Sequence, residues 1–225
     1  GFTGTLEEFI TFVKSDPKAM PYKTEKEVIT AFNGILAQIT PKLKTMFSVT
    51  PVTPFEIRQT EKFREATASA EYIQGTPDGK RPGIFYMPIP DPTKFNVTSG
   101  MESLFLHEAI PGHHYQVSLQ QENTAIPKFM RFGWFGAYGE GWAHYCETLG
   151  PEFGLYTDPY QKMGYLSDQM LRAVRLVIDT GIHTGTMNRE EAIKYFLSNI
   201  SYDEASATAE IERYMAMPGQ ALGYK

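Results

Sequence analysis

Residues 111 and 112 are Pro-Gly, set inside a stretch that otherwise has the pattern of a helix. Upstream, Met101, Leu104, Phe105 and Ala109 recur at helical spacing, with Thr98 or Ser99 placed to cap the start. Proline lacks an amide proton and collides with the preceding turn, while glycine tolerates dihedrals closed to other residues. The chain must bend or break here. On either side stand His107, Glu108, His113 and His114, in the string HEAIPGHHYQ. A straight helix would carry His113 about 9 Å along the axis from His107 and onto the far side; His114 would share the face but lie about 10.5 Å away. Neither could share an ion with His107. A kink or bulge at 111–112 is expected to swing one of the two back, and the spacing leaves open which one.

The rest of the chain divides by texture. Thr5-Leu-Glu-Glu8 and Thr24-Glu-Lys-Glu27 have the capping-box pattern, and Val28, Ala31, Phe32, Ile35, Leu36 and Ile39 follow at helical spacing until Pro41, which should end or kink the segment. From 50 to 96 short β-branched and aromatic runs are punctuated by Pro and Gly: VTPVTPFEIRQ, ATASAEYIQG and RPGIFYMPIP. They predict two or three strands, with TPDGKRPG as the turn between the last two. Pro88 and Pro90 suit an edge strand, and such an edge can pair with an extended peptide. Helical texture returns at 127–149 and 158–183, then at 189–198 behind Asn188, and finally from Ser201 or Asp203 to about Met215. The expected fold is α+β and mainly helical: a helical lead-in at 1–49, a small sheet at 50–96 beside the histidine helix, and a helical metal-site region at 97–225, together one catalytic region.

Bulk properties remove several functions. The formal net charge of −5 over 225 residues gives no electrostatic reason to expect nucleic acid or an anionic membrane as partner. A single cysteine, Cys146, excludes an intrachain disulfide framework. No apolar run approaches the roughly 20 residues of a transmembrane segment. The abrupt opening at GFTGTLEEF leads us to expect the C-terminal part of a longer chain.

What remains is the histidine cluster. His107, His113, His114 and His144 fall within 38 residues, together with Glu108, Glu140 and Glu147. Imidazoles supported by carboxylates are the set that Zn²⁺ favours in catalytic sites, with one position open for water. A glutamate following the first histidine is about 100° further round the helix, where it can take the proton of that water. His144 stands one turn after Glu140 and Glu147 two turns after it, both suited to supporting a ligating histidine. Tyr214, Tyr224 and His183 are candidate oxyanion donors, and Arg172, Arg175 and Arg213 candidate clamps for a substrate carboxylate. Hydrolysis of peptide bonds is the expected reaction. A metal- or peptide-binding module without catalysis, and a hydrolase of a non-peptide amide or ester, are the alternatives.

HEAIPGHHYQ followed by GEGWAHYCE, VIDTGIHTGTMNREEAIKYF and RYMAMPGQALGYK resembles the bacterial domain-of-unknown-function 885 family, regarded as zinc metallopeptidases and including many predicted lipoproteins. A more distant similarity, to thimet-type oligopeptidases and Taq-type carboxypeptidases, lies in Gly112-His113 and in the seven-residue spacing of Glu140 and Glu147. The resemblance implies a zincin-like fold of the gluzincin type, a peptide substrate, and a periplasmic or membrane-anchored setting. It also implies His107, His113 and Glu140 as metal ligands with His114 as the alternative to His113, Glu108 as general base, and Tyr224 as the preferred oxyanion donor.

Overall fold

The first helix, α1 (Leu6–Ser15), starts with a complete capping box: Thr5 Oγ1 accepts from the Glu8 amide and the Glu8 carboxylate accepts from the Thr5 amide. The computed structural model describes residues 2–65 and 68–224, so Ala66 and Thr67 of the ATASA string lie outside the described residues. Helix α2 (Glu25–Met46) is capped by Thr24 and runs through Pro41 without stopping there. Its buried stripe of Val28, Phe32, Ile35 and Ile39 continues to Leu43 beyond the proline. Burying that last turn offsets the backbone hydrogen bond that Pro41 cannot make.

Three strands follow: β1 (Phe55–Gln59), β2 (Glu71–Ile73) and β3 (Gly83–Met87). Their order is β1-β3-β2, with β1 parallel and β2 antiparallel to β3. This corrects the expectation drawn from Pro88 and Pro90. The strand before them is central, and both prolines stand past its last paired residue, Met87, where no ladder bond is lost. The edges are β1 and β2.

The remaining helices are α3 (Met101–Glu108), α4 (His113–Glu122), α5 (Lys128–Phe132), α6 (Gly136–Thr148), α7 (Gly150–Phe153), α8 (Pro159–His183), α9 (Arg189–Asn199) and α10 (Glu204–Ala216). The expected 127–149 helix is two pieces separated by Gly133, Trp134 and Phe135. Asn188 caps α9 with a full capping box, and Asp203, rather than Ser201, caps α10. Neither Thr98 nor Ser99 caps α3. A 3₁₀ turn over Val97–Ser99 ends at Gly100, whose φ of 93° turns the chain into the helix.

Two cores result. In the first, Phe32 of α2, Phe85 of β3 and Phe105 of α3 pack ring against ring, with centroids 5.3–6.4 Å apart. The second joins α8, α9 and α10 through Ile178, Phe196, Ile211 and Tyr214. Helix α8 spans both. Where it crosses α3, Ser103 Oγ donates to Asp168 Oδ2 at 2.5 Å. Burial, and then the charge of Glu147, push the Asp168 carboxyl up to about 7, although a small cavity of about 70 Å³ reaches it. An acid whose folded pKa is raised contributes stability that is full below its unfolded value, about 4, and is lost as pH rises through 7. Asp168→Asn is therefore expected to stabilise the fold at pH 8 by about 1–2 kcal/mol, a melting temperature higher by a few degrees, and to leave it unchanged near pH 4. Thermal melts across that range check it, and a pH-independent difference would show that Asp168 is not the titrating group.

Candidate metal centre

The break at 111–112 is the turn between α3 and α4. Helix α3 ends at Glu108, the His114 amide donates back to the Ala109 carbonyl at 3.1 Å, and the new helix starts at His113. Trp142 Nε1 of α6 donates to the Pro111 carbonyl at 2.8 Å, pinning the turn to the neighbouring helix. This geometry sets the rings of His107 and His113 4.8 Å apart and almost perpendicular.

Helix α6 presents Glu140, His144 and Glu147 at i, i+4 and i+7, along one face toward α3. Glu140 Oε2 lies 3.4 Å from His107 Nε2 and 3.6 Å from His113 Nε2. The donor atoms of all three residues fall within 4.8 Å of one another. Ligands held tetrahedrally at about 2.0–2.1 Å from zinc are about 3.3 Å apart. Glu140 Oε2 is buried, yet no hydrogen bond of good geometry reaches it. A buried, unsatisfied carboxylate oxygen facing two imidazole nitrogens is costly unless a cation sits there. The donor set thus suits a divalent ion in chemistry, and the two Glu140–histidine separations lie near the tetrahedral spacing.

His107 and Glu140 favour each other's charged forms. Burial pulls the His107 imidazole down, but the facing Glu140 carboxylate and the hydrogen-bonded Glu147 outweigh it and push it up to about 9. Burial pushes Glu140 up, and the two imidazoles outweigh that and hold it well below the carboxylate range.

Glu147 is fully buried and accepts from His107 Nδ1 at 2.7 Å, which leaves Nε2 to face Glu140 and His113. Gln169 Nε2 donates to the other Glu147 oxygen at 3.2 Å, and Arg172 lies 3.5 Å from the first. His144 does not reach the triad: its ring nitrogens face the Tyr224 carbonyl at 2.8 Å and Gln169 Oε1 at 2.9 Å. His114 turns the other way. Its Nδ1 accepts from the Tyr72 hydroxyl at 3.0 Å, its ring lies against Phe55, and burial pulls its pKa down to about 4. Of the two histidines left open by spacing, His113 is the one that meets Glu140.

A cleft of about 610 Å³ opens above the triad. Glu108 lines it, next to His107 on the last turn of α3, as do Tyr224, Trp134 and the β2 edge. The Tyr224 ring stacks on His107 at 5.9 Å, with the Arg172 guanidinium 4.4 Å from its centroid. Three other candidates lie elsewhere. Tyr214 is buried in the second core, accepting from Arg175 Nε and donating to Glu210; Arg213 binds Glu210 and Gln220; His183 Nε2 donates to the Tyr214 carbonyl. A groove nearly twice as large, about 1130 Å³, runs between α1 and α9–α10, away from the histidines. Sequence reasoning missed Gln169 and Tyr72. The first joins His144 to Glu147 and the second captures His114, but both pairings span more than 20 residues and leave no local pattern.

Over residues 1–225 the chain matches the family described as "Bacterial protein of unknown function (DUF885)". The chain belongs to that family. Among solved structures, it is similar to a "putative lipoprotein" from Colwellia psychrerythraea, with 36% identity and a TM-score of 0.92. It also shares its fold with a "putative lipoprotein of unknown function" from Shewanella oneidensis, with 20% identity and a TM-score of 0.74. Each comparison covers 99% of this chain but only 39% and 42% of the respective relative. No curated protein matches the chain. Among the described residues no helix is long and apolar enough to cross a membrane.

Proposed function

We propose that this DUF885 chain is the catalytic region of a zinc-dependent peptidase of the gluzincin type, with His107, His113 and Glu140 as ligands. The observation that carries the reading is the convergence of two imidazole nitrogens on a buried carboxylate oxygen that no hydrogen bond satisfies, with Glu108 lining the same cleft. An ion held there supplies Lewis acidity, bringing the pKa of a water ligand toward 7 and polarising a carbonyl oxygen. Glu108 takes the proton from the attacking water and delivers it to the leaving amine nitrogen. Glu147 keeps His107 in the tautomer whose Nε2 faces Glu140. Tyr224 is the candidate donor to the tetrahedral oxyanion, a contact worth roughly 3 kcal/mol. The outer edge of β2 runs along the cleft and offers its backbone to an extended chain. The description of the Colwellia relative supports a lipid-anchored setting for the whole protein.

The test is elemental analysis of the purified protein and three variants. About one zinc per chain is expected in the wild type. His107→Ala and His113→Ala should lose it, and His114→Ala should keep it, because that ring is bonded to Tyr72. A wild type that holds no zinc and takes up none when it is added removes the peptidase reading.

A further inference from the structure

Among the described residues that line the cleft above the triad, Arg81 is the one arginine, and its side chain is exposed. Arg81 lines the wall of the cleft formed by the β2–β3 hairpin. Its backbone is held from both sides: the amide donates to Thr76 Oγ1 at 3.0 Å and the carbonyl accepts from the Thr76 amide at 3.0 Å. Pro82 follows and restricts Arg81 to extended dihedrals. The hairpin end is tied through Thr53, whose hydroxyl bridges the Thr76 carbonyl and the carboxylate of Glu122, the last residue of α4. The base of Arg81 thus belongs to the same frame as His113, which starts α4. Its guanidinium, by contrast, makes no hydrogen bond or ion pair with any described residue. The acids of the cleft are otherwise committed: Glu71 is paired with Arg64, Glu140 faces the imidazoles, and Glu108 is reserved for the proton transfer argued above.

An arginine with a fixed base and a free planar head is a receptor for a carboxylate, which it binds through two parallel N–H···O contacts. We infer that Arg81 binds a carboxylate of the substrate and so sets which peptides the cleft accepts. The inference rests on the peptidase reading for the use of the site, but its test is a binding measurement. The carboxylate has two sources, a peptide C-terminus or an acidic side chain.

Zinc-loaded Glu108→Gln protein, which should bind without turnover, is titrated calorimetrically with an N-acetylated apolar tripeptide as free acid, with its C-terminal amide, and with an amide carrying one glutamate. Each titration is repeated with Arg81→Gln and Arg81→Lys added. A charge-assisted pair of contacts should make one carboxylate-bearing peptide bind about 10- to 100-fold tighter than the plain amide. Arg81→Gln should erase that advantage, and Arg81→Lys should restore part of it. Preference for the free acid identifies the C-terminus, and preference for the glutamate amide identifies a side chain. Equal affinity for all three peptides, no binding, or a preference that survives Arg81→Gln overturns the assignment. Turnover by the wild type is read separately: an Arg81-dependent preference in a chain that cleaves nothing keeps this inference and removes the peptidase reading.

Discussion

Glu108→Gln is expected to abolish peptide turnover while the protein keeps its metal and its fold. The carboxylate sits on the last turn of α3 beside His107 and lines the cleft over the triad. It makes no hydrogen bond or ion pair with any described residue, so the fold makes no evident demand on its charge. Glutamine has the same shape and fills the same space, but it cannot accept a proton near neutral pH. Removing a general base typically costs about 10²–10⁴ in rate, and a base that acts on both the water and the leaving amine belongs at the upper end. kcat should therefore fall about 10³-fold or more while KM, zinc content and melting temperature stay near wild type. The assay needs metal content measured on the same samples. A metal-loaded variant within a factor of ten of wild type would move the general base to another residue.

The legibility of this site followed the range of the forces that build it. Pro111-Gly112 was readable as a break because the reasons are local, a missing donor and a permissive backbone. The caps at Thr5 and Asn188 were readable for the same reason, since a side chain meets an amide three residues away. The expected stop at Pro41 does not occur, because burial of Leu43 overrules the proline, a tertiary term absent from any short window. Strand order was out of reach: Pro88 marks the end of β3, but whether β3 is central depends on where β1 and β2 pair. Which of His113 and His114 faces Glu140 depends on Tyr72, 42 residues before His114, and on Glu140 itself, on another helix. The candidates that fell in the second core share one cause. Tyrosine and arginine at helical spacing have the same pattern whether they line a cleft or, like Tyr214 and Arg175, satisfy each other inside a bundle.

Gly112→Ala should unmake the centre without touching a single ligand. A Cβ on Gly112 would stand 1.9 Å from the His107 carbonyl oxygen and 2.3 Å from that of Leu106. Both obstacles are backbone, so no side-chain rotation relieves them. The turn must open, and with it α4 must move away from α3. The Trp142 bond to the Pro111 carbonyl resists that movement, which leaves strain or unfolding as the outcomes. Overpacking against fixed backbone costs roughly 3 kcal/mol or more, a drop of about 6–12 °C for a chain of this size. His113 follows immediately after residue 112, so any opening separates its ring from His107, and zinc should be lost even from the fraction that stays folded. Gly136→Ala is the control: it lies on α6, its added Cβ would meet nothing within 4 Å, and alanine suits a helix better. That variant should melt at or slightly above wild type and retain its zinc. If Gly112→Ala behaves like Gly136→Ala in both measurements, the turn does not set the distance between the two histidines, and the account of why the helix breaks where it does must be replaced.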